Sequence, residues 1–477
     1  MRKFPSYIWR LIFAILPAIN LLTASSIVPV VANQQNQIYL PLVLTPATHS
    51  PRVHVPYFDG NIRFAEAGLF WFGDVEPTRN YADVRVGYND TGLSLRLSVF
   101  DRRLWYDPTP EALDLSDYDG ASLYLNLDGP SGSSLARNGY KLVSQLNWWE
   151  ARERWQAAYR SSGGGWSLAE IPFTTNRNWR GNVPNNDVDD RGWSMTFHIP
   201  FASLGLTEAP PQGTVWGLAI ALHDRDDQEG TPISDQTWPL AADLNQPVTW
   251  GSLSFGRPDS TPSPASPSGS LTIRHGLNGA IVKDAHVGGH SICGQPHWPN
   301  FFDSWGSANY AGYDQINIQN QSDVADWPCF SKFYITFPLD LVPANKVLLD
   351  ATLKLYLFGN AGMNLEPPPQ PSLIQALIVS EDWDESTITW NNAPLALENV
   401  AQTWVNPIDV FPGWPGVPYE WDLSTAAAQA YTTGQPLRLV LYSADGAYNS
   451  GKYFISSDTG EWNEDGRPAL TITWGEP

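Results

Sequence analysis

The sequence predicts an all-β protein with two β-sandwich (jelly-roll-like) domains joined by a Pro/Ser-rich linker. The chain has 477 residues, which is enough for two or three domains of ordinary size. Apolar and polar residues alternate in many short runs bounded by Gly, Pro or Asp, a pattern typical of half-buried strands. Helical periodicity is confined to residues 423–432. One Pro-rich segment near the middle of the chain separates the two predicted sandwiches.

Charge and aromatic content restrict the classes of partner. The chain carries 28 Lys+Arg against 49 Asp+Glu, a formal net charge of −21, which excludes nucleic acid as a partner. Charged residues make up 16% of the chain, well below the roughly 25% of an average soluble protein. The 22 Trp residues exceed what core filling requires. This composition is typical of a secreted β-rich protein in which some aromatic rings contact a ligand.

The first residues have the pattern of a secretory signal peptide, which we assign to residues 1–32. Three basic residues within the first ten precede an apolar run, and small residues allow cleavage after Ala32 or earlier after Ala24. The alternative is a retained membrane anchor, against which Pro17 and Asn20 argue because they interrupt the apolar run. The mature protein is therefore expected to be secreted and extracellular, without membrane insertion after signal cleavage.

The two cysteines of the chain, Cys293 and Cys329, are expected to form one disulfide in an oxidising compartment. Closing that loop would contribute about 3–4 kcal/mol in the chain-entropy model. The alternative is a transition-metal site built from Cys293 and nearby histidines, which an oxidised Cys293 could not support. Those histidines are His275, His286, His290 and His297.

The domain boundaries follow from residues 256–270, where four prolines stand among Ser, Thr and Gly. This composition is typical of a stiff, solvated linker that sets the distance between two domains. The linker separates an N-terminal domain, residues 51–255, from a C-terminal domain, residues 271–475. Each is long enough for one β-sandwich.

A β-hairpin is the clearest element of the N-terminal domain. Residues 84–88 alternate apolar and polar side chains, an Asn-Asp-Thr-Gly turn follows, and residues 93–99 resume the alternation. The same pattern predicts further strands at residues 122–128, 193–199 and 216–222.

Several segments of this domain resemble family-9-like carbohydrate-binding modules (DOMON-like sandwiches). They are Phe58-Asp59-Gly60, the hairpin turn, Tyr118-Asp119-Gly120, Gly192-Trp193 and the closing Gly251-Ser252-Leu253. Sugar-binding members of that family hold their ligand between two tryptophans beside basic and amide side chains. The resemblance implies Tyr118 as one aromatic contact, Lys141 as the basic contact, and Trp238 and Trp250 as candidates for the second platform.

The most specific motif of the chain lies in the C-terminal domain, where residues 383–394 read W-D-E-S-T-x-T-W-N-N-x-P. With residues 333–340, 349–357 and 467–474 in that order, it resembles a DNRLRE domain, a β-sandwich related to carbohydrate-binding module family 96. The motif predicts a turn whose acids cap backbone amides. A strand should follow, with Thr387 and Thr389 on one face and Ile388 and Trp390 on the other.

Aromatic residues are densest around residues 147–155, where Trp148, Trp149 and Trp155 stand among charged side chains. Adjacent residues on a strand point to opposite faces, so one of the paired tryptophans must be exposed or covered by a loop. An exposed ring there would offer a flat apolar surface to the C–H face of a pyranose.

A second cluster is acidic and follows a predicted strand: Asp224, Asp226, Asp227 and Glu229. Such clusters cap turns, solvate loops or hold Ca²⁺ through oxygen ligands more often than they catalyse glycoside cleavage. The chain has no G-x-S-x-G or H-E-x-x-H motif. We therefore expect no enzyme activity and no required cofactor, and the one metal that the sequence indicates is a structural calcium.

Together these observations predict a secreted, non-catalytic carbohydrate-binding protein that acts at the cell surface or in the extracellular matrix. Its expected partner is a polysaccharide or surface glycan. A structural or adhesive surface protein that binds other proteins is the main alternative, because low charge and many aromatic residues suit it equally. A polysaccharide-degrading enzyme is the third interpretation, and it requires a pair of convergent carboxylates in a cleft. The sequence leaves the oligomeric state open.

Overall fold

A computed structural model describes residues 50–113, 115–135, 137–147, 152–258, 265–289, 300–320, 330–364 and 366–477. Several predictions lie outside these residues: the signal peptide, the Cys293–Cys329 disulfide, and Trp148 and Trp149. Within the described ranges, no helix is long and apolar enough to cross a membrane. The prediction of an all-β fold with sandwich architecture is confirmed, because strands dominate both halves.

The N-terminal half contains thirteen strands in its described part. Short 3₁₀ turns lie at Phe64–Glu66, Arg152–Trp155, Phe201–Leu204 and Pro247–Thr249. The strands are β1 (Arg52–Val55), β2 (Gly68–Glu76), β3 (Arg79–Tyr88), β4 (Gly92–Phe100), β5 (Gly120–Asn126), β6 (Gly139–Gln145), β7 (Gln156–Ser161), β8 (Trp166–Leu168), β9 (Thr174–Arg180), β10 (Gly192–Pro200), β11 (Val215–Asp224), β12 (Ile233–Trp238) and β13 (Gly251–Phe255).

These strands form two sheets that pack face to face. Sheet I has the order β2-β3-β4-β10-β9. In sheet II, β11 pairs with β12 and β13 on one side and with β5 on the other; β1 pairs with β13, and β6, β7 and β8 continue beyond β5. The predicted hairpin is confirmed as β3–β4, with Tyr88 opposite Leu93. Its turn is stabilised by Asn89 Oδ1, which accepts from the N–H groups of Thr91 and Gly92 at 2.9 and 3.0 Å.

The described part of the C-terminal half contains eleven strands and two short α-helices. Further 3₁₀ turns lie at Leu277–Gly279, Trp305–Ser307 and Glu461–Gly466. The regular elements are β14 (Pro267–Arg274), β15 (Lys283–Gly288), α1 (Phe301–Ser304), β16 (Gln315–Asn320), β17 (Phe330–Phe337), β18 (Val347–Asn360), β19 (Ser372–Val379), β20 (Ala396–Val405), β21 (Val417–Asp422), α2 (Ser424–Thr432), β22 (Leu437–Ser443), β23 (Lys452–Ile455) and β24 (Ala469–Gly475).

These strands also form two facing sheets. Sheet III has the order β15-β17-β22-β19-β20. Sheet IV is built around the long strand β18, which pairs with β24, β21 and β23, while β14 and β16 extend it at its edges. The predicted helix is confirmed as α2, which buries Ala426 and Ala427 against the core.

The strand predicted within residues 383–394 is wrong. The turn is present, since Asp384 Oδ1 accepts from Ser386 N at 2.8 Å, but no strand lies between β19 and β20. The Asn392 side chain makes hydrogen bonds of the kind that a neighbouring strand would make. It accepts from Thr389 N at 2.7 Å and donates to Thr387 O at 2.9 Å. Side-chain bonds therefore satisfy the backbone locally and remove the need for strand pairing.

Sheets I and III pack against each other, so the two halves share a third hydrophobic cluster besides their own cores. This inter-half interface buries Trp71 and Phe100 of the N-terminal half against Tyr334 and Trp390 of the C-terminal half. Asn391 reaches across it, accepting from Val75 N at 2.9 Å and donating to Val75 O at 3.1 Å. Sheet I therefore packs on sheet II through one face and on sheet III through the other, and β1 of sheet II also pairs with β20 of sheet III at Arg52 and Glu398.

A buried lysine occupies the centre of this interface. Lys332 Nζ lies 3.7–5.2 Å from the centroids of four aromatic rings, two from each half: Trp71, Tyr81, Trp390 and Tyr442. Burial lowers the pKa of Lys332 well below its usual range, and the charge of Asp83 opposes that shift. Asp83 accepts hydrogen bonds from Tyr81 Oη at 2.6 Å, Asn320 Nδ2 at 2.9 Å and Tyr442 Oη at 3.1 Å. We call these six residues with Lys332 the lysine cage.

The predicted linker ends earlier than expected. β14 begins at Pro267, so the last residues of the range 256–270 belong to sheet IV, where they pair with β24. The expectation that the linker sets the separation of the halves is wrong, because the interface between sheets I and III brings them into direct contact.

Candidate functional site

Three of the predicted aromatic platforms are core residues. Trp155, Trp238 and Trp250 are at most 2% exposed. Trp155 Nε1 donates to Asp107 O at 2.7 Å, and Trp238 packs at 4.1 Å from the ring of Phe70. The prediction that these three side chains form accessible sugar platforms is therefore wrong.

Tyr118 and Lys141 remain at the surface but are partly covered. The Arg225 guanidinium lies 4.5 Å from the ring centroid of Tyr118. Lys141 Nζ lies 5.5 Å from the ring centroid of Tyr124 and 5.3 Å from that of Tyr159, and burial lowers its pKa. The outer face of sheet II therefore places the predicted basic contact between two aromatic rings.

The same region contains a relay with the distances of a catalytic triad. Ser122 Oγ lies 2.7 Å from His223 Nε2, and His223 Nδ1 lies 2.8 Å from Asp235 Oδ1. Ser122 and His223 are fully buried, whereas the Asp235 side chain is 39% exposed. A buried serine cannot reach a substrate, so this relay orients Asp235 beside Lys141 rather than forming a nucleophilic site.

Among the described residues, an exposed cluster of aromatic rings that sequence reasoning did not select lies on the C-terminal half. Trp414 is its centre: its ring centroid lies 4.9 Å from Trp462, 5.1 Å from Phe411 and 5.8 Å from Phe358. Phe411, Trp414 and Trp462 are 50%, 47% and 65% exposed. Tyr453 joins them, 6.4 Å from Phe358. We call these five residues the aromatic patch.

Strands and loops both contribute to the aromatic patch. Phe358 lies on β18 and Tyr453 on β23, at the solvent-facing side of sheet IV, whereas Trp414 and Trp462 come from the connections before β21 and β24. The signal that could have identified the loop residues is the sequence FPGWPG at 411–416, because Gly/Pro-rich connections run over the protein surface.

Three exposed acids lie close in sequence to the loop rings of the aromatic patch. Asp409, Glu461 and Glu464 are all exposed, and each lies within two residues of a patch ring. Carboxylates accept hydrogen bonds from hydroxyl groups and repel anions. The rings of Trp414 and Trp462 meet at 81°, so together they form a corner rather than a flat shelf.

Part of the predicted acidic cluster lies close to Asp101, which directly follows β4. Carboxylate oxygens of Asp101, Asp224 and Asp226 lie within 4.8 Å of one another. Asp227 and Glu229 do not belong to this group: both are exposed, and Asp227 Oδ1 accepts from the N–H of Gly230. The turn-capping role therefore applies to Asp227, and the metal-ligating role to the buried group.

The carboxyl of Asp224 is buried without adequate partners. Its residue is 3% exposed, and neither oxygen has a hydrogen bond of normal geometry from the described residues, although Asn80 lies close by. Burial, followed by repulsion from Asp226, raises the pKa of Asp224 to about 7. Burial likewise raises the pKa of Asp226 to about 6, against an opposing effect of Arg103. A divalent cation would satisfy both oxygens of Asp224.

Comparison with known proteins agrees with the resemblance of the C-terminal half. Residues 302–474 match the family model of carbohydrate-binding module family 96, which confirms the resemblance of the C-terminal half. No curated protein matches the chain.

Two similar solved structures are of a family 9 carbohydrate-binding module from Caldicellulosiruptor kristjanssonii, the family that the N-terminal half resembles. The complex with glucose is 15% identical, with 44% of this chain and 98% of that chain covered at a TM-score of 0.31. The complex with cellotriose is 16% identical, with 45% and 100% covered at the same TM-score of 0.31.

Proposed function

We propose that this protein is a secreted, non-catalytic carbohydrate-binding protein and that the aromatic patch is a binding surface for a polysaccharide or surface glycan. The observation that carries the proposal is the exposure of Phe411, Trp414 and Trp462 around one point. Exposed aromatic faces pack against the C–H faces of pyranose rings. The whole patch lies within residues 302–474, the part that matches a carbohydrate-binding module family.

The flanking charges favour a neutral glycan. Asp409, Glu461 and Glu464 can accept hydrogen bonds from sugar hydroxyls, whereas uronate or sulfate groups would be repelled. The net charge of −21 adds to that repulsion at longer range. We propose Lys141 and Asp235 as polar contacts of a second surface on sheet II, where each carries a partly accessible charge.

Trp414→Ala is expected to weaken binding to neutral polysaccharide about tenfold, a loss of about 1.4 kcal/mol, because it removes the central ring of the aromatic patch. Trp462→Ala should act in the same direction. The measurement is affinity electrophoresis of the full chain in gels containing xyloglucan, mixed-linkage β-glucan or galactomannan, with alginate as the anionic comparison. Trp404→Ala is the matched control, since Trp404 is 46% exposed on β20 outside the patch.

The adhesive alternative also has an observation in its favour. Val410 is 73% exposed beside Phe411, and a corner of aromatic and aliphatic side chains also suits a protein surface. Failure of the wild-type chain to be retarded by any polysaccharide, soluble or insoluble, would contradict the carbohydrate proposal and favour this alternative. Equal retardation of wild type and Trp414→Ala would instead show that the polysaccharide binds outside the aromatic patch.

We also propose a structural calcium ion at Asp101, Asp224 and Asp226. The support is the convergence of three carboxylates and the two unsatisfied buried oxygens of Asp224. Calcium prefers oxygen ligands and stiffens loops in extracellular β-domains. The ion would join the end of β4, which precedes Asp101, to the end of β11, where Asp224 lies.

Without metal, the protein is expected to lose stability as the pH rises from about 4 to about 7. The folded-state pKa of Asp224 is about 7, so in this window the unfolded chain has already released a proton that the folded chain keeps. Ionisation therefore favours unfolding, and calcium at pH 8 should restore stability by binding the ionised group. Calorimetric Tm values at pH 5 and pH 8, with EDTA or with calcium, measure both effects.

Asp224→Asn should reduce both the pH dependence and the stabilisation by calcium, and Asp227→Asn is the control that should leave both unchanged. The same calcium-induced rise in Tm in Asp224→Asn and in wild type would contradict calcium binding at this cluster.

A further inference from the structure

A cavity of about 340 Å³ lies where the two halves meet, and neither the aromatic patch nor the acidic cluster at Asp224 uses it. Its walls come from the 3₁₀ turn before β2, from β3 and β4 of sheet I, and from the segment that follows β22. Two arginines line it together with apolar side chains: Arg85 and Arg96 with Phe64, Ala65, Ala444 and Ala447. A cavity of this size can hold a small organic molecule.

The two arginines stand side by side in the cavity wall. Arg85 on β3 lies directly opposite Arg96 on β4, a register that places their Cβ atoms about 5 Å apart on one face of sheet I. No acidic side chain is among the described residues that line the cavity, although the chain has 49 acidic residues against 28 basic ones. Like charges in this arrangement repel each other, so a negative charge in the cavity would stabilise the pair.

Arg85 is held in place by the C-terminal half. Its Nε donates to Ala444 O at 2.8 Å, its Nη2 to Asp445 O at 3.1 Å and its Nη1 to Ser98 Oγ at 3.2 Å. These acceptors are neutral, so they orient the guanidinium without cancelling its charge. Arg85 is 1% exposed and acts on the cavity through its charge, whereas Arg96 is partly exposed and can contact a ligand directly.

Two acids adjoin the lining residues in sequence, and both have basic neighbours outside the cavity. The carboxyl of Asp445 accepts from Ser372 Oγ, and the charge of Lys452 opposes the effect of burial on its pKa. Glu66 forms an ion pair with Arg63, with Oε1 and Nε 2.6 Å apart. Each of these acids therefore has a basic partner that does not belong to the cavity wall.

We infer that this cavity binds a small organic carboxylate. A guanidinium group matches the two oxygens of a carboxylate, and a second positive charge on the neighbouring strand strengthens the attraction. The rest of the wall is apolar, since the centroid of the Phe64 ring lies 5.8 Å from Arg96 Cζ and alanine side chains complete the lining. Such a wall suits the hydrocarbon part of an organic acid. It could not replace the water lost by sulfate or phosphate, which are polar on every side.

Calorimetric titration of the full chain with succinate at constant ionic strength tests this site, with neutral succinamide and inorganic sulfate as comparisons. Wild type is expected to bind one succinate per chain, and to bind both comparison compounds more weakly. Arg96→Gln should weaken succinate binding about tenfold, because it removes a charged hydrogen-bond donor. Arg79→Gln is the matched control. It removes the same charge from an exposed residue of β3 that pairs with Asp74 outside the cavity, and it should keep the wild-type affinity.

A second pair of variants tests the cavity without altering either arginine. Ala447 is an exposed lining residue, so Ala447→Asp adds a negative charge to the wall and Ala447→Asn adds a side chain of the same size without charge. Ala447→Asp should bind succinate about tenfold more weakly than Ala447→Asn, because like charges repel.

The result is independent of the aromatic patch, since Trp414→Ala should bind succinate with the wild-type affinity. Three outcomes would each overturn the inference: no succinate binding by wild type, equal succinate affinity of wild type and Arg96→Gln, or tighter binding of sulfate than of succinate.

Discussion

Asp83→Ala is expected to destabilise the folded protein by about 3–5 kcal/mol, because it removes the carboxylate that faces the buried Lys332 and accepts from two buried tyrosine hydroxyls. In the lysine cage, Lys332 is 1% exposed, and the charge of Asp83 opposes the effect of burial on its pKa. The substitution also removes the acceptor for Tyr81 Oη and Tyr442 Oη, so two buried hydroxyl groups lose their hydrogen bonds.

Denaturant unfolding of the full chain, followed by Trp fluorescence, measures this loss. Asp90→Ala is the control, since Asp90 lies in the same half and accepts from the exposed Tyr57 Oη; it should change stability by less than about 0.5 kcal/mol. Combining Asp83→Asn with Lys332→Met should recover much of the loss, because an apolar replacement of a buried pair removes the uncompensated charge. A loss below about 1 kcal/mol for Asp83→Ala would show that water compensates Lys332.

Trp155→Ala is expected to lower stability by about 3–5 kcal/mol, the range for a large core ring, without a specific effect on sugar binding. The indole is fully buried, and its N–H bond to Asp107 O connects it to the loop before β5. Calorimetry measures the stability, and polysaccharide retention is compared at a temperature where both proteins are folded. Normal thermal stability with lost retention would instead place Trp155 in a binding site.

Local patterns were sufficient for the strands and the β3–β4 hairpin. The turn at Asn89 is closed by its own side chain, so nothing distant is needed to form it. The strand predicted around Ile388 is wrong because the Asn392 side chain bonds to the backbone of Thr387 and Thr389 and replaces strand pairing. The neighbouring Asn391 bonds to Val75, 316 residues away, and periodicity does not report such a contact.

The alternation of apolar and polar residues also predicted solvent exposure for polar side chains that are in fact buried. Arg85 alternates with Val84 and Val86, a pattern that predicts solvent on one face of β3. The Arg85 side chain is instead 1% exposed, and it donates to Ala444 O and Asp445 O of the other half at 2.8 and 3.1 Å. The outer face of sheet I is covered by a second domain, which the pattern of one strand cannot report.

Sequence patterns predicted the type of binding surface, an aromatic platform, but not which residues form it. The excess of aromatic residues indicated a platform, but exposure depends on which loops cover which rings. Trp155 stands among charged neighbours and is buried, whereas Trp414 stands among glycines and prolines and is exposed. Lys141 was placed by resemblance, and its position between Tyr124 and Tyr159 emerged from the packing of sheet II.

The lysine cage has a practical consequence for truncation. Each half supplies two of the four rings around Lys332, so a fragment ending in the linker would leave Trp71 and Tyr81, or Trp390 and Tyr442, without their cover. Newly uncovered aromatic surface of this kind promotes aggregation. A half expressed alone would then precipitate or stick to matrices nonspecifically, and retention of such a fragment on a polysaccharide would reflect the exposed interface rather than sugar recognition.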